Sequence, residues 1–268
     1  MGLGGHLMWT PIVKGLHDKH QKKIFIGSPG DGMIWENNPY ITKDKNNSIH
    51  LDFSRPDLNY ITHETSDKMF WREEIKGHVI EFLCDKLEIP IPDFLKCELF
   101  FSGEEQKQID VVLKHLKKDF IIIEPHTKKS WSLNREYPFE KYQNIVDSVP
   151  KDIHVVQIGV KGSKLLDNVT NLTGVLTFRT ACLLMKYAKC FISTEGGLVH
   201  GATTVDTKSI VIFTAYSPFN FFKYPQNINI NTANHSPCGL RSFCQDCNDD
   251  VNEGLYENQI IQELKKLL

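Results

Sequence analysis

The 268-residue sequence has no excess of charge of either sign, because 31 Lys and Arg residues face 33 Asp and Glu residues and the formal net charge is -2. It therefore lacks the basic surface that nucleic acid requires, and an anionic ligand has to be bound by a local group of residues. The segment 1–11 lacks the basic start and long apolar stretch of a signal peptide. The apolar runs at 120–123 and 209–213 are too short to span a bilayer. These absences predict a cytoplasmic protein that does not bind nucleic acid.

The cysteines do not form a disulfide pattern, because there are seven of them at uneven spacings, and we expect reduced thiols. Cys238, Cys244 and Cys247 follow His235 with C-x5-C-x2-C spacing. Such thiolates and a histidine are able to hold zinc or iron in a tetrahedral site. The pattern has only one of the two C-x2-C pairs typical of zinc sites. The sequence therefore predicts no cofactor, with a structural metal at these cysteines as the alternative.

The second half of the chain alternates compact apolar runs with stretches of helical periodicity. We predict strands at 119–124, 154–159, 190–193 and 209–213, and helices at 139–149, 177–187, 197–204 and 258–268. This alternation is typical of an α/β fold with a parallel, doubly wound sheet.

The first half alternates less regularly. We predict strands at 23–27, 49–53 and 98–102, and helices at 10–17, 73–87 and 106–116. The last of these helices would join the halves. We therefore predict two domains, residues 1–115 and 116–268.

A Gly-Gly turn follows the third strand of the second half, in the segment Ser193-Thr-Glu-Gly-Gly-Leu-Val-His200. Open α/β sheets bind ligands beyond the carboxyl ends of their strands. Glycines let the backbone approach a phosphate, and a helix start supplies N–H groups. The residues that we predict to bind such an anion here are Thr194, Glu195, Gly196, Gly197 and His200. A tight turn without a ligand is the alternative.

Three cations, Lys128, Lys129 and Arg135, follow the strand that ends at Glu124. Cations at a strand end suit a diphosphate, and arginine offers it two parallel hydrogen bonds. A solvated loop is the alternative, because most lysines are exposed. Both loops leave parallel strands at the same edge of the sheet, so we expect them to converge.

These segments resemble glycosyltransferase family 9, the heptosyltransferase-like enzymes of GT-B fold. Residues 2–11 are similar to the family's Gly-Leu-Gly-Asp-x-Leu-x-x-Thr-Pro motif, and 135–142 to its Lys-x-Trp-Pro-x-Glu-x-Trp/Phe segment. Residues 174–188 are similar to its Gly-x-x-Ser/Thr-Leu-Arg-Glu helix, with Arg179 as the arginine. Residues 195–200 resemble its donor loop, Asp-Ser/Thr-Gly-x-x-His, and 213–218 its Phe-Gly-x-Thr-x-Pro turn.

The resemblance implies two Rossmann-like domains that face each other across a cleft, with the acceptor side in 1–115 and the nucleotide-sugar donor in 116–268. It implies transfer of a sugar, such as a heptose, from a nucleoside diphosphate to a hydroxyl of a glycan or glycolipid, including a lipid at the inner membrane face. Arg135, Lys129, the Gly196-Gly197 backbone and His200 would stabilise the leaving diphosphate without a metal. The sequence contains no Asp-x-Asp metal motif.

The sequence departs from the family at the candidate general base. The family's aspartate after Gly-Leu-Gly is Gly5 here, followed by His6. A histidine has a reference pKa of about 6.5 and is able to accept an acceptor hydroxyl's proton. We therefore predict His6 as the base, with Asp31 as the second candidate. The donor-loop aspartate is Glu195, which is one methylene longer.

Two other functions stay open. A nucleotide-sugar epimerase of the same fold would share the donor loop but need no acceptor. A vestigial nucleotide-sugar-binding protein would explain the missing aspartate at Gly5. A dehydrogenase is disfavoured because no Gly-x-Gly-x-x-Gly lies between a strand and a helix.

Overall fold

The structure is a computed structural model that describes residues 2–27, 32–127, 131–253 and 256–268. The helices of the first half are α1 (Leu3–Met8), α2 (Thr10–His20), α3 (Gly32–Trp35), α4 (Val79–Lys86) and α5 (Gly103–Leu113), with a 3-10 turn at Pro56–Leu58. Its strands are β1 (Ile24–Ile26), β2 (Ile41–Thr42), β3 (Ile49–Leu51), β4 (Ile61–Glu64) and β5 (Met69–Trp71). Strand β1 pairs in parallel with β2 and β3, whereas β4 and β5 form an antiparallel hairpin.

Two predictions for the first half were wrong. Residues 98–102, inside the described range 32–127, are not a strand, because backbone N–H groups here bond to side chains, Cys97 to Thr203 and Glu98 to Thr10. The helix predicted at 73–87 begins only at Val79. His78 ends the preceding turn by accepting a hydrogen bond from the Ile80 N–H, as an N-cap does.

The second half contains strands β6 (Phe120–Glu124), β7 (His154–Gln157), β8 (Thr170–Asn171), β9 (Phe191–Thr194), β10 (Ser209–Phe213) and β11 (Ile228–Asn231). Its helices are α6 (Phe139–Asp147), α7 (Phe178–Met185), α8 (Gly197–Thr203), α9 (Phe219–Phe222), α10 (Gln245–Glu253) and α11 (Tyr256–Leu267), with a 3-10 turn at Leu133–Arg135. The predicted alternation of strand and helix is confirmed.

The second half folds around a six-stranded parallel sheet with the order β11-β10-β9-β6-β7-β8. The chain runs outward from β6 to β8 and then returns to β9 on the other side of β6. Strands β6 and β9 are therefore the point where the direction of winding reverses, and their carboxyl ends lie side by side, with Glu124 in register with Ser193. Open α/β sheets bind ligands in the crevice at such a point.

Alternate residues of β6 face the two sides of this sheet. Ile121 and Ile123 lie in the apolar cluster that covers one face. Phe120 and Ile122 lie in the cluster on the other face, which also includes Leu7, Ile12 and other residues of the first half. Each fully buried isoleucine contributes about 1.5–3 kcal/mol of stability. The first half thus packs directly onto the sheet, and the division of the chain at residue 115 stays a prediction.

Contacts of Gly4 and Arg179 are among those that join the halves. Helix α1 packs on α8, where a Cβ on Gly4 would lie 2.7 Å from Cδ2 of His200 and 3.2 Å from Cα of Gly197. A side chain at this position would force His200 or α8 to shift. Arg179 of α7 pairs with Glu105 at 2.6 Å and also donates to the carbonyls of Met33 and Phe100. The arginine singled out by the family motif therefore ties the halves together.

None of the helices within the described ranges combines the length and the apolar character that crossing a membrane requires.

Candidate functional site

The predicted convergence of the two loops is seen in the contact between Arg135 and Glu195. Arg135 Nη2 donates to the Glu195 carbonyl oxygen at 2.6 Å and to its carboxylate Oε2 at 3.0 Å. Both side chains are mostly buried, with exposed fractions of 17% and 11%. The 3-10 turn after β6 places Arg135, and the end of β9 places Glu195. A cation and a carboxylate thus meet at the crevice between β6 and β9.

The turn after β10 completes this contact. The Ser217 hydroxyl donates to Glu195 Oε2 at 3.2 Å, and the Arg135 guanidinium lies 5.7 Å from the ring centre of Tyr216. Residues 213–218, which the family motif singled out, therefore contact both members of the Arg135–Glu195 pair. Ser217 is one of the site residues that the sequence reasoning named only as part of a motif.

The two glycines of the predicted anion site, Gly196 and Gly197, have no side chain to cover the backbone beside Arg135. A Cβ on Gly196 would lie 3.6 Å from Arg135 Nη2, and a Cβ on Gly197 would lie 3.5 Å from the backbone nitrogen of Gly4. These are ordinary contact distances, so neither glycine is required by the described surroundings alone. Thr194, the last residue of β9, is buried.

His200 is a buried, neutral histidine beside Glu195. Its Nε2 lies 3.9 Å from Glu195 Oε1, and its side chain is 3% exposed. Burial lowers the pKa of His200 to about 4, against the opposing effect of the Glu195 charge. Its Nδ1 lies 2.7 Å from the hydroxyl of Tyr224, which in turn lies 3.3 Å from Cys97 Sγ. The imidazole is therefore held on one side and presents Nε2 to Glu195.

Glu124 is a titratable group that the sequence reasoning did not single out. It ends β6, and the Ser193 hydroxyl lies 3.4 Å from its Oε2. Burial raises the pKa of Glu124 to about 8, although the Ser193 hydrogen bond and the Arg135 charge oppose this rise. A carboxyl group at a strand end whose pKa lies this close to neutral pH is a candidate for ligand binding or proton transfer. The sequence pattern that could have indicated Glu124 is an acidic residue at the carboxyl end of a buried strand.

The first half contributes Tyr60 to the surroundings of the pair. Its ring stacks on Trp71 with 6.3 Å between centres and packs edge-on against Phe222 at 5.7 Å. Burial raises the pKa of Tyr60 to about 12, and the Glu195 charge adds to this shift. Tyr60 therefore lies within electrostatic reach of Glu195. The β4–β5 hairpin, which no sequence pattern predicted, places Trp71 against the Tyr60 ring.

The contacts described for His6, the first predicted general base, are with aromatic rings of the first half. The His6 ring lies in α1 and is 4% exposed, with ring centres 6.4 Å from Trp35 and 5.7 Å from Phe53. Asp31, Lys128 and Lys129 lie outside the described residues. The roles predicted for these residues stay predictions.

The structure brings His235, Cys238, Cys244 and Cys247 together, with their ligand atoms all within 4.8 Å of one another. His235 Nε2 lies 3.3 Å from Cys247 Sγ, and its Nδ1 lies 2.9 Å from a carboxylate oxygen of Asp250. A carboxylate on the second ring nitrogen is how proteins orient a metal-binding histidine. Tetrahedral zinc with sulfur at about 2.3 Å separates its ligands by about 3.8 Å. This cluster, which we call the Cys3His cluster, fits a metal ion.

Comparison with known proteins identifies the family. The model of glycosyltransferase family 9 (heptosyltransferase) matches residues 87–248, which is more than half of the chain. The chain therefore belongs to glycosyltransferase family 9, and the resemblance inferred from its motifs is confirmed. A comparison with proteins of curated function found no match.

Solved structures share the fold at low identity. The glycosyl transferase family 9 protein from Veillonella parvula is 13% identical and superposes with a TM-score of 0.72, over 100% of this chain and 94% of that chain. The iron-containing dodecameric glycosyltransferase TibC from enterotoxigenic E. coli is 14% identical with a TM-score of 0.69, over 99% and 74%. E. coli ADP-heptose LPS heptosyltransferase II is 16% identical with a TM-score of 0.50, over 68% and 56%. The predicted GT-B fold is confirmed, and with the family it identifies a glycosyltransferase.

Proposed function

We propose that this glycosyltransferase transfers a sugar from a nucleoside diphosphate to a hydroxyl of a glycan or glycolipid. We propose further that the diphosphate binds between Arg135 and residues 195–200. The observation that carries the proposal is the contact of Arg135 with Glu195 at the crevice between β6 and β9. A guanidinium at this edge of an open α/β sheet offers paired N–H donors to an anionic ligand.

Binding of the diphosphate would exchange the partner of Arg135. The diphosphate carries more negative charge than a carboxylate, so it competes for the guanidinium at a site that is largely removed from water. Glu195 would then be free to accept hydrogen bonds from neutral hydroxyls, as it already does from Ser217. Sugar or ribose hydroxyls are such donors. The pair therefore supports separate roles, Arg135 on the phosphates and Glu195 on a hydroxyl.

His200 supports the leaving group without adding a second buried charge. Its pKa of about 4 keeps the imidazole neutral near pH 7. If Tyr224 donates to Nδ1, the ring proton lies on Nε2, which faces Glu195. A neutral N–H donor aimed at a developing phosphate charge stabilises the transition state. We propose that Arg135, His200 and Lys129 perform this task without a metal ion in the transfer step.

We propose His6 as the general base, with Asp31 as the second candidate. Helix α1, which carries His6, packs directly on the helix that follows the donor loop, since Gly4 touches His200. The family's aspartate would stand at Gly5 of the same helix. This placement supports a base from α1 or from its neighbourhood, and mutation separates the two candidates.

ADP-heptose is the first donor to test, because TibC was solved in complex with ADP-D-β-D-heptose. The decisive experiment measures nucleotide release and product identity with ADP-, GDP- and UDP-sugars, each with and without a glycan or glycolipid acceptor. We expect release of one nucleoside diphosphate that depends on the acceptor. An isomerised nucleotide sugar without acceptor would instead identify an epimerase. Binding without turnover of any donor would identify a vestigial protein.

We also propose that the Cys3His cluster binds one structural metal ion. Three thiolates and an imidazole suit zinc or iron, the Asp250 contact orients His235, and TibC is an iron-containing relative. Metal analysis of protein purified under reducing conditions tests this. We expect about one zinc or iron ion per chain and its loss in Cys244→Ser. Metal-free wild-type protein that takes up neither ion would contradict the proposal.

A further inference from the structure

The side chain of Asn134 connects the Cys3His cluster to the residue next to it, Arg135. Its Nδ2 donates to the carbonyls of Leu240 at 2.9 Å and Ser242 at 2.7 Å. Its Oδ1 accepts from the backbone N–H of Cys244 at 2.9 Å. Asn134 is 6% exposed. The amide is thus fully engaged by residues 238–244, which we call the metal loop.

Two further contacts fasten the same turn to the metal loop. The Ser132 hydroxyl donates to the Leu240 carbonyl at 2.8 Å, and the Leu133 N–H donates to the Arg241 carbonyl at 3.4 Å. All three residues of the turn that precede Arg135 therefore contact the metal loop. The position of the guanidinium depends on where this loop lies.

The metal loop begins and ends at metal ligands, Cys238 and Cys244. A bound ion would join both ends of the loop at one point, in addition to the hydrogen bonds that the backbone N–H groups of Cys238 and Arg241 donate to Ala215 and Asp67. Ordering a backbone segment costs conformational entropy, and a bound ion would offset part of that cost. Gly239, next to Cys238, has a φ of +71°, and a Cβ on it would lie 2.4 Å from the Met69 carbonyl oxygen, so this position of the loop requires glycine.

We propose that Asn134 is a positioning residue that couples the metal site to the donor site. Metal binding orders the metal loop, Asn134 transmits that order to the 3-10 turn, and Arg135 is thereby held where it meets the diphosphate. The inference rests on the proposed function of Arg135 and on the proposed metal. By linkage, metal then strengthens nucleotide binding and nucleotide strengthens metal binding by the same factor.

An amide is the side chain that this position requires. It donates two hydrogen bonds and accepts one, all to backbone groups that are brought together by the metal loop. Aspartate would lose both donors and place its charge against two carbonyls. Alanine would lose all three bonds, and serine is too short to span them.

The test is a cycle of four samples, wild type and Asn134→Ala, each loaded with zinc and each metal-free. Titration calorimetry measures the affinity for ADP, GDP and UDP, and the tightest binder to loaded wild type is followed. We expect metal removal to weaken binding to wild type about tenfold, within the 5- to 150-fold range of allosteric coupling. Loaded Asn134→Ala should already be about tenfold weaker and change less than about twofold on metal removal.

Asn252→Ala is the matched control, because Asn252 lies on α10, which also carries Cys247, and within the described residues its amide donates to Asn248 of the same helix. We expect it to keep the metal response of wild type. Circular dichroism and metal content are measured for every sample, and Asn134→Ser replaces Asn134→Ala if the latter does not fold.

Equal nucleotide affinity of the loaded and metal-free wild type would overturn the coupling. A full metal response in Asn134→Ala would overturn the role of Asn134. Failure of the proposed function is separate, because it appears as Arg135→Ala binding the nucleotide as tightly as wild type does in the loaded state.

Discussion

Arg135 donates from a single nitrogen, Nη2, to both the backbone carbonyl and the carboxylate of Glu195, at 2.6 Å and 3.0 Å. The two residues come from loops that are 60 positions apart in sequence but leave neighbouring strands. The carbonyl contact ties the guanidinium to the backbone of the segment 195–200. A ligand that displaces Glu195 from Arg135 would therefore also remove a contact that holds the backbone at Glu195.

Glu195→Gln tests the division of roles within the pair. The amide keeps the size of the side chain but no longer neutralises Arg135, so nucleoside diphosphate binding should stay the same or strengthen. Turnover should fall because the amide is a weaker acceptor for a sugar or ribose hydroxyl. Calorimetry with the free diphosphate and a steady-state assay give the two numbers. An equal loss in both would show that Glu195 only supports the local structure.

His78→Asn tests the buried histidines through the pH dependence of stability. Burial, with a contribution from His200, lowers the pKa of His78 to about 3. As pH falls below about 6.5, His78 becomes protonated in the unfolded chain but stays neutral in the folded protein. The folded protein therefore loses stability on acidification. Asparagine keeps the N-cap role and does not titrate.

Relative to His78→Asn, the free energy of unfolding of wild type should fall by about 2 kcal/mol between about pH 7 and about pH 5. Denaturant titrations of both proteins at each pH measure this difference. A difference that stays constant with pH would contradict a depressed pKa for His78.

Tyr224→Phe tests whether the hydroxyl of Tyr224 fixes His200. Without its hydrogen bond to Nδ1, the neutral ring is less stabilised, so the pKa of His200 should rise and the acidic limb of the pH–turnover profile should move to higher pH. Turnover should fall up to about tenfold, the range of one hydrogen bond. Tyr187→Phe is the control, since its hydroxyl bonds to Gln106 at the surface. An unshifted profile would leave Tyr224 a packing residue.

His6→Ala and Asp31→Ala test the general base. A base typically contributes 10²-fold or more to turnover, and its loss should leave donor binding intact. We keep His6 as the first prediction, and its packing against Trp35 and Phe53 makes stability the essential control. Near-normal turnover of a destabilised His6→Ala protein would make His6 a core residue and leave Asp31 as the candidate.

The sheet of the second half could be predicted from sequence because its strands are buried on both faces. Ile121, Ile122 and Ile123 form a continuous apolar run that ends at Glu124 and Pro125, and such runs are typical of parallel strands. The first half could not be predicted as well. Its strands are short, and the segment 98–102 pairs with side chains of distant residues such as Thr10, which no local pattern reveals.

Residues of the candidate site could be named from sequence where they lie on one loop, and could not where their roles depend on tertiary contacts. The Gly-Gly turn and Arg135 stand out because of their residue types. The roles suggested by the contacts of Tyr60 and Asn134 arise only when the β4–β5 hairpin and the metal loop pack beside the 3-10 turn. The strand order also had to be known, because only the return of the chain from β8 to β9 puts the two loops together.

The most direct measurement of the central claim is the affinity of Arg135→Ala for ADP, GDP and UDP by calorimetry. Arg55→Ala is the matched control, because Arg55 also pairs with a carboxylate, Asp57, and the exposed fractions of the two side chains are 48% and 52%. Loss of a charge-assisted hydrogen bond costs about 1.5–3 kcal/mol. The account predicts that Arg135→Ala binds the preferred nucleoside diphosphate about 10- to 150-fold more weakly than wild type, while Arg55→Ala binds as wild type does. Unchanged affinity of Arg135→Ala for every nucleotide that wild type binds would contradict it.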